Sequence, residues 1–226
     1  PDALRVTESV ARRFASNVHF VHGLSQAAPN IGWTAESEGD LKRLRAMLEE
    51  DGRRLEAERQ TVAKTVEEWR AKTGVEADLT VRDWTPEPAI STYLMTADLA
   101  ILPRPGAVKG LDVEAVLLEA GRPVLLALGH SGAHVGDRVA IFWRSTPPTS
   151  HAVAASLPFL RLASAVKLFT VQSDRDDGSL ERAATWLGYH GVQAETERLR
   201  PIDGASVGAV LLGAAGEFEA DMIVMG

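Results

Sequence analysis

The chain has 226 residues, of which 45% are hydrophobic and 24% are charged, a balance typical of globular rather than disordered or fibrous proteins. It contains no cysteine, which excludes a disulfide, a thiolate metal site and a cysteine nucleophile. The net charge of −7 disfavours binding to a nucleic-acid backbone, and no apolar run is long enough for a membrane span. We expect a soluble, cytoplasmic protein with neither nucleic-acid nor membrane partners.

The first half alternates helix-like and strand-like segments. A polar stretch ending at Gly74 has the pattern of a long helix with a glycine stop. The predicted helices are 2–14, 40–73, 87–96 and 112–120, and the predicted strands are 18–22, 75–83, 98–102 and 123–128. Short, continuous apolar runs of this kind are typical of parallel strands that are buried on both faces.

The second half repeats the same order of elements. The predicted strands are 139–143, 166–171, 192–199 and 221–225, and the predicted helices are 149–163, 179–190 and 205–220. Alternating strands and helices predict an α/β protein with parallel sheets. A glycine-rich stretch without apolar periodicity separates the halves, which predicts domains at 1–128 and 138–226 joined by a linker at 129–137.

Three pairs of matching positions indicate that the halves are a tandem repeat. The pairs are Val18 with Val166, Gly74 with Gly191, and Asp98 with Asp221, each with similar neighbours. The first half then has no counterpart of strand 139–143, and the second half has none of the segment 112–128. We therefore expect both ends to be truncated, with roughly 10 to 20 further N-terminal residues in the natural protein.

These residues resemble the universal stress protein family in its tandem two-domain form. The resemblance covers most of the chain and is most specific in Asp221-Met222-Ile223-Val224-Met225-Gly226. It is also seen at 97–102, 121–126, 139–143 and 152–171. It implies two Rossmann-like or flavodoxin-like domains linked to the stress response. It also implies self-association of such domains, within the chain or as a homodimer.

Some members of the family bind ATP, with an acidic or amide residue after the first strand and a glycine loop after the fourth. Here Arg144 stands where those members have the acidic or amide residue, and arginine accepts no hydrogen bond. Gly226 matches the first glycine of the loop, and the corresponding residue of the first half is Pro103, which has no N–H to donate. The expected function is a stress-response binding or signalling module, without strong ATP binding, without another cofactor and without enzymatic activity.

Two alternatives remain open: an ATP-binding, weakly hydrolysing stress protein that uses the second domain, and another Rossmann-like small-molecule binder. A nucleotide would lie where the strand order of the second sheet reverses, at the carboxyl ends of its strands. The candidate nucleotide-binding residues are Arg144, Ser145, Thr146, Val171, Met225 and Gly226.

Two other patterns suggest chemistry that their context disfavours. The stretch 129–133 approaches the G-x-S-x-G nucleophile elbow, but the chain then enters a strand instead of the helix that such an elbow requires. His19 and His22 lie three apart on a strand and therefore face opposite sides. We expect no catalytic residues and no metal site.

The helix 40–73 carries Leu41, Leu48, Leu55, Val62 and Trp69 at seven-residue spacing. This stripe is compatible with a coiled coil or with an amphipathic helix lying on its own sheet. Charged residues at companion positions favour the second interpretation. Near the C-terminus, Gly204, Gly208, Gly213 and Gly216 lack the spacing of a cofactor fingerprint and predict a closely packed helix.

Overall fold

The computed structural model describes residues 2–25, 37–84, 89–108, 111–119, 121–129, 135–172 and 178–226. The chain divides into two compact units, Pro1–Gly129 (unit 1) and His130–Gly226 (unit 2). The possible nucleophile Ser131, with the rest of 130–134, lies outside the described residues. Within the described ranges, no helix is long and apolar enough to cross a membrane.

Unit 1 contains two small parallel sheets. Its helices are α1 (Asp2–Phe14), α2 (Glu38–Thr73), α3 (Ala89–Leu94) and α4 (Val113–Glu119), and its strands are β1 (Val18–Ser25), β2 (Ala77–Trp84), β3 (Ala100–Pro103) and β4 (Val124–Ala127). β1 pairs with β2, and β3 pairs with β4. Among the described residues no ladder joins the two sheets.

Unit 2 contains one parallel sheet with the strand order β7-β6-β5-β8. Its strands are β5 (Arg138–Phe142), β6 (Ala165–Val171), β7 (Glu195–Leu199) and β8 (Met222–Val224), and its helices are α5 (Pro147–Leu160), α6 (Ser179–Tyr189) and α7 (Val207–Glu217). The α/β class and the parallel sheets are thus confirmed. Helix α5 begins two residues earlier than predicted, since Pro147 occupies its first turn, where a missing N–H costs little.

The sheet of unit 2 is covered on both faces. On one face Val139, Ile141 and Leu168 pack with residues of α5 and α6, and all three side chains are fully buried. On the other face Ala140 and Phe169 pack against α7. Successive side chains of β5 point to opposite faces of the sheet, as in any strand. β5 therefore contributes to the packing on both faces and lies at the centre of the unit.

The approach to β5 is held by Asp221. Its carboxylate accepts hydrogen bonds from the backbone N–H groups of Gly136, Asp137 and Arg138, at 2.9, 3.0 and 3.2 Å. Residues 135–137, which fall within the predicted linker, therefore belong structurally to unit 2. The same aspartate directly precedes β8, so its carboxylate connects the starts of two neighbouring strands.

Helix α2 packs on the sheet near its C-terminus and extends away from it towards its N-terminus. Of its seven-residue stripe, Trp69 is 6% exposed, whereas Leu41 and Leu48 are 45% and 57% exposed. Contacts of α2 with β1 and β2 bury Val66, Trp69 and Thr73 near its C-terminus. The interpretation as a helix lying on its own sheet is therefore wrong for the N-terminal part of α2 and right for its C-terminal part.

The glycines of the C-terminal segment do not mark close packing. A Cβ added at Gly204, Gly213 or Gly216 would meet nothing within 4 Å among the described residues. The contacts of α7 with the sheet are made instead by Ala214, Ala215 and Leu211. That prediction is wrong for the glycines, because the small face that meets the sheet is built from alanine.

Replacing Gly136 with alanine is expected to lower the free energy of unfolding of unit 2 by about 2 kcal/mol. Its φ is +82°, and a Cβ would lie 2.9 Å from Cδ1 of Phe159. Gly191 has a similar φ of +79° with nothing within 4 Å of its would-be Cβ, so Gly191→Ala is the matched control, with a cost of about 1 kcal/mol. Denaturant unfolding of both variants measures the difference. Equal losses of unfolding free energy in the two variants would contradict the inference that the contact with Phe159 adds to the cost at Gly136.

Candidate functional site

The candidate site lies in unit 2 at the carboxyl ends of β5 and β8. From β5 the chain places β6 and β7 on one side and β8 on the other, so the strand order reverses between β5 and β8. Open α/β sheets bind ligands at such a reversal. Ile141 is opposite Val224 in the ladder, so the segment after Phe142 and the segment after Val224 leave the sheet side by side.

Two side chains and one backbone group meet at this edge. The hydroxyl Oγ1 atoms of Thr146 and Thr149 are 3.0 Å apart, and Thr149 Oγ1 donates to the carbonyl oxygen of Gly226 at 3.5 Å. Thr149 is 1% exposed. A Cβ at Gly226 would lie 2.3 Å from the carbonyl carbon of Pro148, so only glycine fits against the first turn of α5. Thr146 and Gly226 are thus brought together through Thr149.

The remaining candidate residues surround this cluster without joining it. Arg144 and Ser145 are exposed, and the carbonyl of Arg144 accepts the N–H of Thr146 at 2.7 Å. Val171 ends β6 and is half-buried, while Met225 is 66% exposed. Among the described residues the guanidinium of Arg144 has no carboxylate within ion-pair distance. It is the one candidate residue that presents a charge to solvent.

The first turn of α5 offers little to a phosphate. Helix N-termini attract anions through unpaired N–H groups, but Pro147 and Pro148 have none. The N–H of Thr149 is covered by Gly226, whose would-be Cβ lies 2.5 Å from that nitrogen. The N–H of Ser150 donates to the carbonyl of Thr146 at 3.1 Å. The first turn of α5 therefore has two residues without an N–H and one N–H against which Gly226 lies.

At the corresponding edge of unit 1, the carboxylate of Asp112 caps the start of helix α4. Asp112 Oδ1 accepts the N–H groups of Glu114 and Ala115 at 3.0 and 3.1 Å, which are the donors that a phosphate would need at the start of α4. Pro103 ends β3. A shallow cavity of about 640 Å³ lies here, and its lining includes Pro105, Asp112 and Glu114. Two carboxylates at its rim repel a triphosphate.

The two histidines of β1 have separate side-chain partners. His19 Nε2 lies 2.8 Å from Thr80 Oγ1, and His22 Nε2 lies 2.9 Å from Glu58 Oε1. The two rings have partners on different elements, as their spacing on a strand requires. Within the described ranges, no group of three or more possible metal ligands is present.

Sequence reasoning missed two residues that organise unit 2: Thr149 at the carboxyl ends of β5 and β8, and Asp221 at the opposite, amino ends of the same strands. Thr149 was counted only as the first residue of a helix, and its buried hydroxyl is visible only in the structure. Asp221 was used only as part of the repeat and of the family resemblance. The repeated Ala-Asp pair at 97–98 and 220–221 was the available signal, since an aspartate directly before a buried strand is well placed to accept backbone N–H groups.

Comparison with known proteins supports the fold. No protein-family model matches the chain, and no curated protein matches it in sequence. Among solved structures, the chain is similar to a universal stress protein from Archaeoglobus fulgidus DSM 4304, with a TM-score of 0.68 and 14% sequence identity over 97% of this chain and 79% of that chain. At this identity the likeness shows a shared α/β fold with parallel sheets.

Proposed function

We propose that the protein is a universal-stress-type binding or signalling module of tandem form, without strong ATP binding and without enzymatic activity. The likeness of fold and the internal repeat support this class. In this proposal the protein acts in the cytoplasm, and its partners are other domains of the same type, within the chain or in a homodimer.

One observation carries the expectation of weak nucleotide binding: at both helix starts next to the candidate edges the N–H groups are either accepted already or obstructed. In unit 1 the carboxylate of Asp112 accepts the N–H groups of α4. In unit 2 two prolines and Gly226 remove or cover those of α5. A nucleotide phosphate would have to displace an aspartate or a packed backbone, and neither exchange is favourable.

Isothermal titration of the full chain with ATP tests the proposal. We expect no saturable binding in the micromolar range, because Arg144 stands where ATP-binding members of the family have a hydrogen-bond acceptor. The lost hydrogen bond costs about 1 to 3 kcal/mol of binding free energy, or about 5- to 150-fold in affinity. Micromolar binding that disappears in Arg144→Ala but persists in Arg200→Ala would contradict it. Arg200 is an exposed arginine of the same unit and serves as the charge-matched control.

That contrary result would favour the second candidate function, an ATP-binding stress protein that uses unit 2. Its supporting observation is that Arg144 and the next residue, Ser145, are both exposed at this edge, and a guanidinium with a hydroxyl is able to bind phosphate oxygens. Binding of a non-phosphorylated small molecule at the same edge, equally lost in Arg144→Ala, would favour another Rossmann-like binder.

A further inference from the structure

The N-terminal third of helix α2 carries large apolar side chains that are exposed. Leu41, Met47 and Leu48 are 45%, 54% and 57% exposed, and Leu44 is half-buried. Leu41, Leu44 and Leu48, which we call the exposed stripe, have the spacing of three and four residues that places side chains on one face of a helix. Large apolar side chains exposed together on a surface helix are typical of a contact with another molecule.

The charges around the exposed stripe are divided along the helix. Basic residues stand near its start and acidic residues near its end: Lys42, Arg43 and Arg45 precede Glu49, Glu50 and Asp51. A second copy of the helix, laid alongside in the antiparallel direction, brings each basic segment next to an acidic segment. Parallel pairing places like charges side by side instead. The order of the charges therefore fits a second copy of this chain in antiparallel orientation.

Arg45 and Glu49 are the charges best placed for such a contact. Each directly follows a leucine of the exposed stripe, and their spacing of four residues puts both on the same side of the helix. In a two-fold symmetric antiparallel pair, the same sides of the two helices face each other. Arg45 of each copy then lies beside Glu49 of the other. Both residues are exposed, and among the described residues neither side chain has a hydrogen-bond or ion-pair partner.

A pair with the same order and spacing farther along α2 is joined within the helix. Lys64 Nζ lies 3.8 Å from Glu68 Oε1, and the two side chains are 78% and 69% exposed. They stand two residues to either side of the buried Val66, so they point away from the face that meets the sheet. Lys64 and Glu68 therefore provide a comparison for charges that are equally exposed but lie far from the exposed stripe.

We propose that the exposed stripe of α2 is the contact surface of a symmetric homodimer in which two copies of α2 pack in antiparallel orientation. The two stripes cover each other, and Arg45 of each copy forms an ion pair with Glu49 of the other. This contact rests on the homodimeric form of the proposed function and assigns a surface to it. Because the contact is short, the dimer is weak and dissociates on dilution, which leaves the stripe exposed in the monomer.

Two single charge reversals test the contact by sedimentation velocity over a concentration series of the full chain. Arg45→Glu makes both flanking charges acidic, and Glu49→Arg makes both basic. Each variant places like charges opposite each other in a symmetric dimer, so dimerisation is expected to weaken at least about tenfold. An equimolar mixture of the two variants is expected to restore the dimer, because an acidic copy then meets a basic copy.

Lys64→Glu and Glu68→Lys are the matched controls, and both are expected to dimerise as the unchanged chain does. Hydrogen exchange in residues 41–52 is expected to slow as the protein concentration rises. A dimer that Arg45→Glu and Glu49→Arg leave unchanged, or a mixture that fails to restore it, would overturn this contact but not the homodimer of the proposed function. A chain that stays monomeric at every concentration would overturn both. Slow exchange in 41–52 of such a monomer would assign the stripe to another part of the same chain.

Discussion

Replacing Trp69 with alanine is expected to lower the free energy of unfolding of unit 1 by about 4 kcal/mol. Trp69 is 6% exposed, and its ring packs edge-on against Phe20 at a centroid distance of 5.1 Å. Its Nε1–H also donates to the carbonyl of Leu4, so one side chain joins α2 to β1 and to α1. Truncation leaves a large cavity and an unpaired carbonyl in a unit whose sheets, in the described part of the chain, have two strands each.

The control is Leu48→Ala, from the same seven-residue stripe of the same helix. Leu48 is 57% exposed, so its truncation is expected to cost under about 0.5 kcal/mol. Hydrogen exchange of segments 61–73 and 77–84 reports the stability of unit 1 separately from unit 2. A comparable loss in both variants would mean that the outer part of α2 is also packed, and would contradict the description of a helix that leaves its sheet.

Replacing Asp221 with alanine is expected to lower the free energy of unfolding of unit 2 by about 3 kcal/mol. The carboxylate accepts the backbone N–H groups of Gly136 and Asp137, before β5, and of Arg138, its first residue, and hydrogen bonds to an ionised acceptor are the stronger kind. Because β5 lies at the centre of the sheet, loosening its approach affects the ladders with both β6 and β8. Faster hydrogen exchange in residues 135–142 is the direct measurement.

The matched variant for this experiment is Asp98→Ala in unit 1. The two aspartates hold the same place in the repeat, but Asp98 is exposed and, among the described residues, has no hydrogen-bond partner. Its removal is expected to change stability by less than about 0.5 kcal/mol. If the two variants lost the same stability, the carboxylate would be acting through something other than the N–H groups before β5.

The order of elements was predictable because it depends on local patterns. Helix α1 was placed at its observed bounds, since its apolar positions and its end before Ala15 are short-range features. The apolar runs that became β5 and β6 were recognisable as buried parallel strands without knowledge of their neighbours. The match between Asp98 and Asp221 was also visible, because a repeat is a property of sequence alone.

Burial along α2 was not predictable, because Leu48 and Trp69 occupy equivalent positions in one repeating pattern. Periodicity states which side chains share a face of a helix, but not how far along the helix a sheet extends. The prediction of close packing at the C-terminal glycines was wrong for a related reason. The absence of a side chain permits close approach without requiring it. The candidate nucleotide site was placed at a strand-order reversal by topology, but the covering of Thr149 by Gly226 depends on contacts between residues far apart in the chain.

The sequence by itself determined the α/β class, the parallel strands and the internal repeat, because hydrophobic periodicity and glycine stops act over a few residues. Tertiary structure alone decided which aspartate of the repeated pair has a structural role. Asp221 and Asp98 stand in nearly the same local sequence, yet among the described residues only Asp221 has N–H groups at the start of a neighbouring strand within 3.2 Å. A hydrogen bond needs both partners in place, and in unit 1 the described residues place no strand beside Asp98.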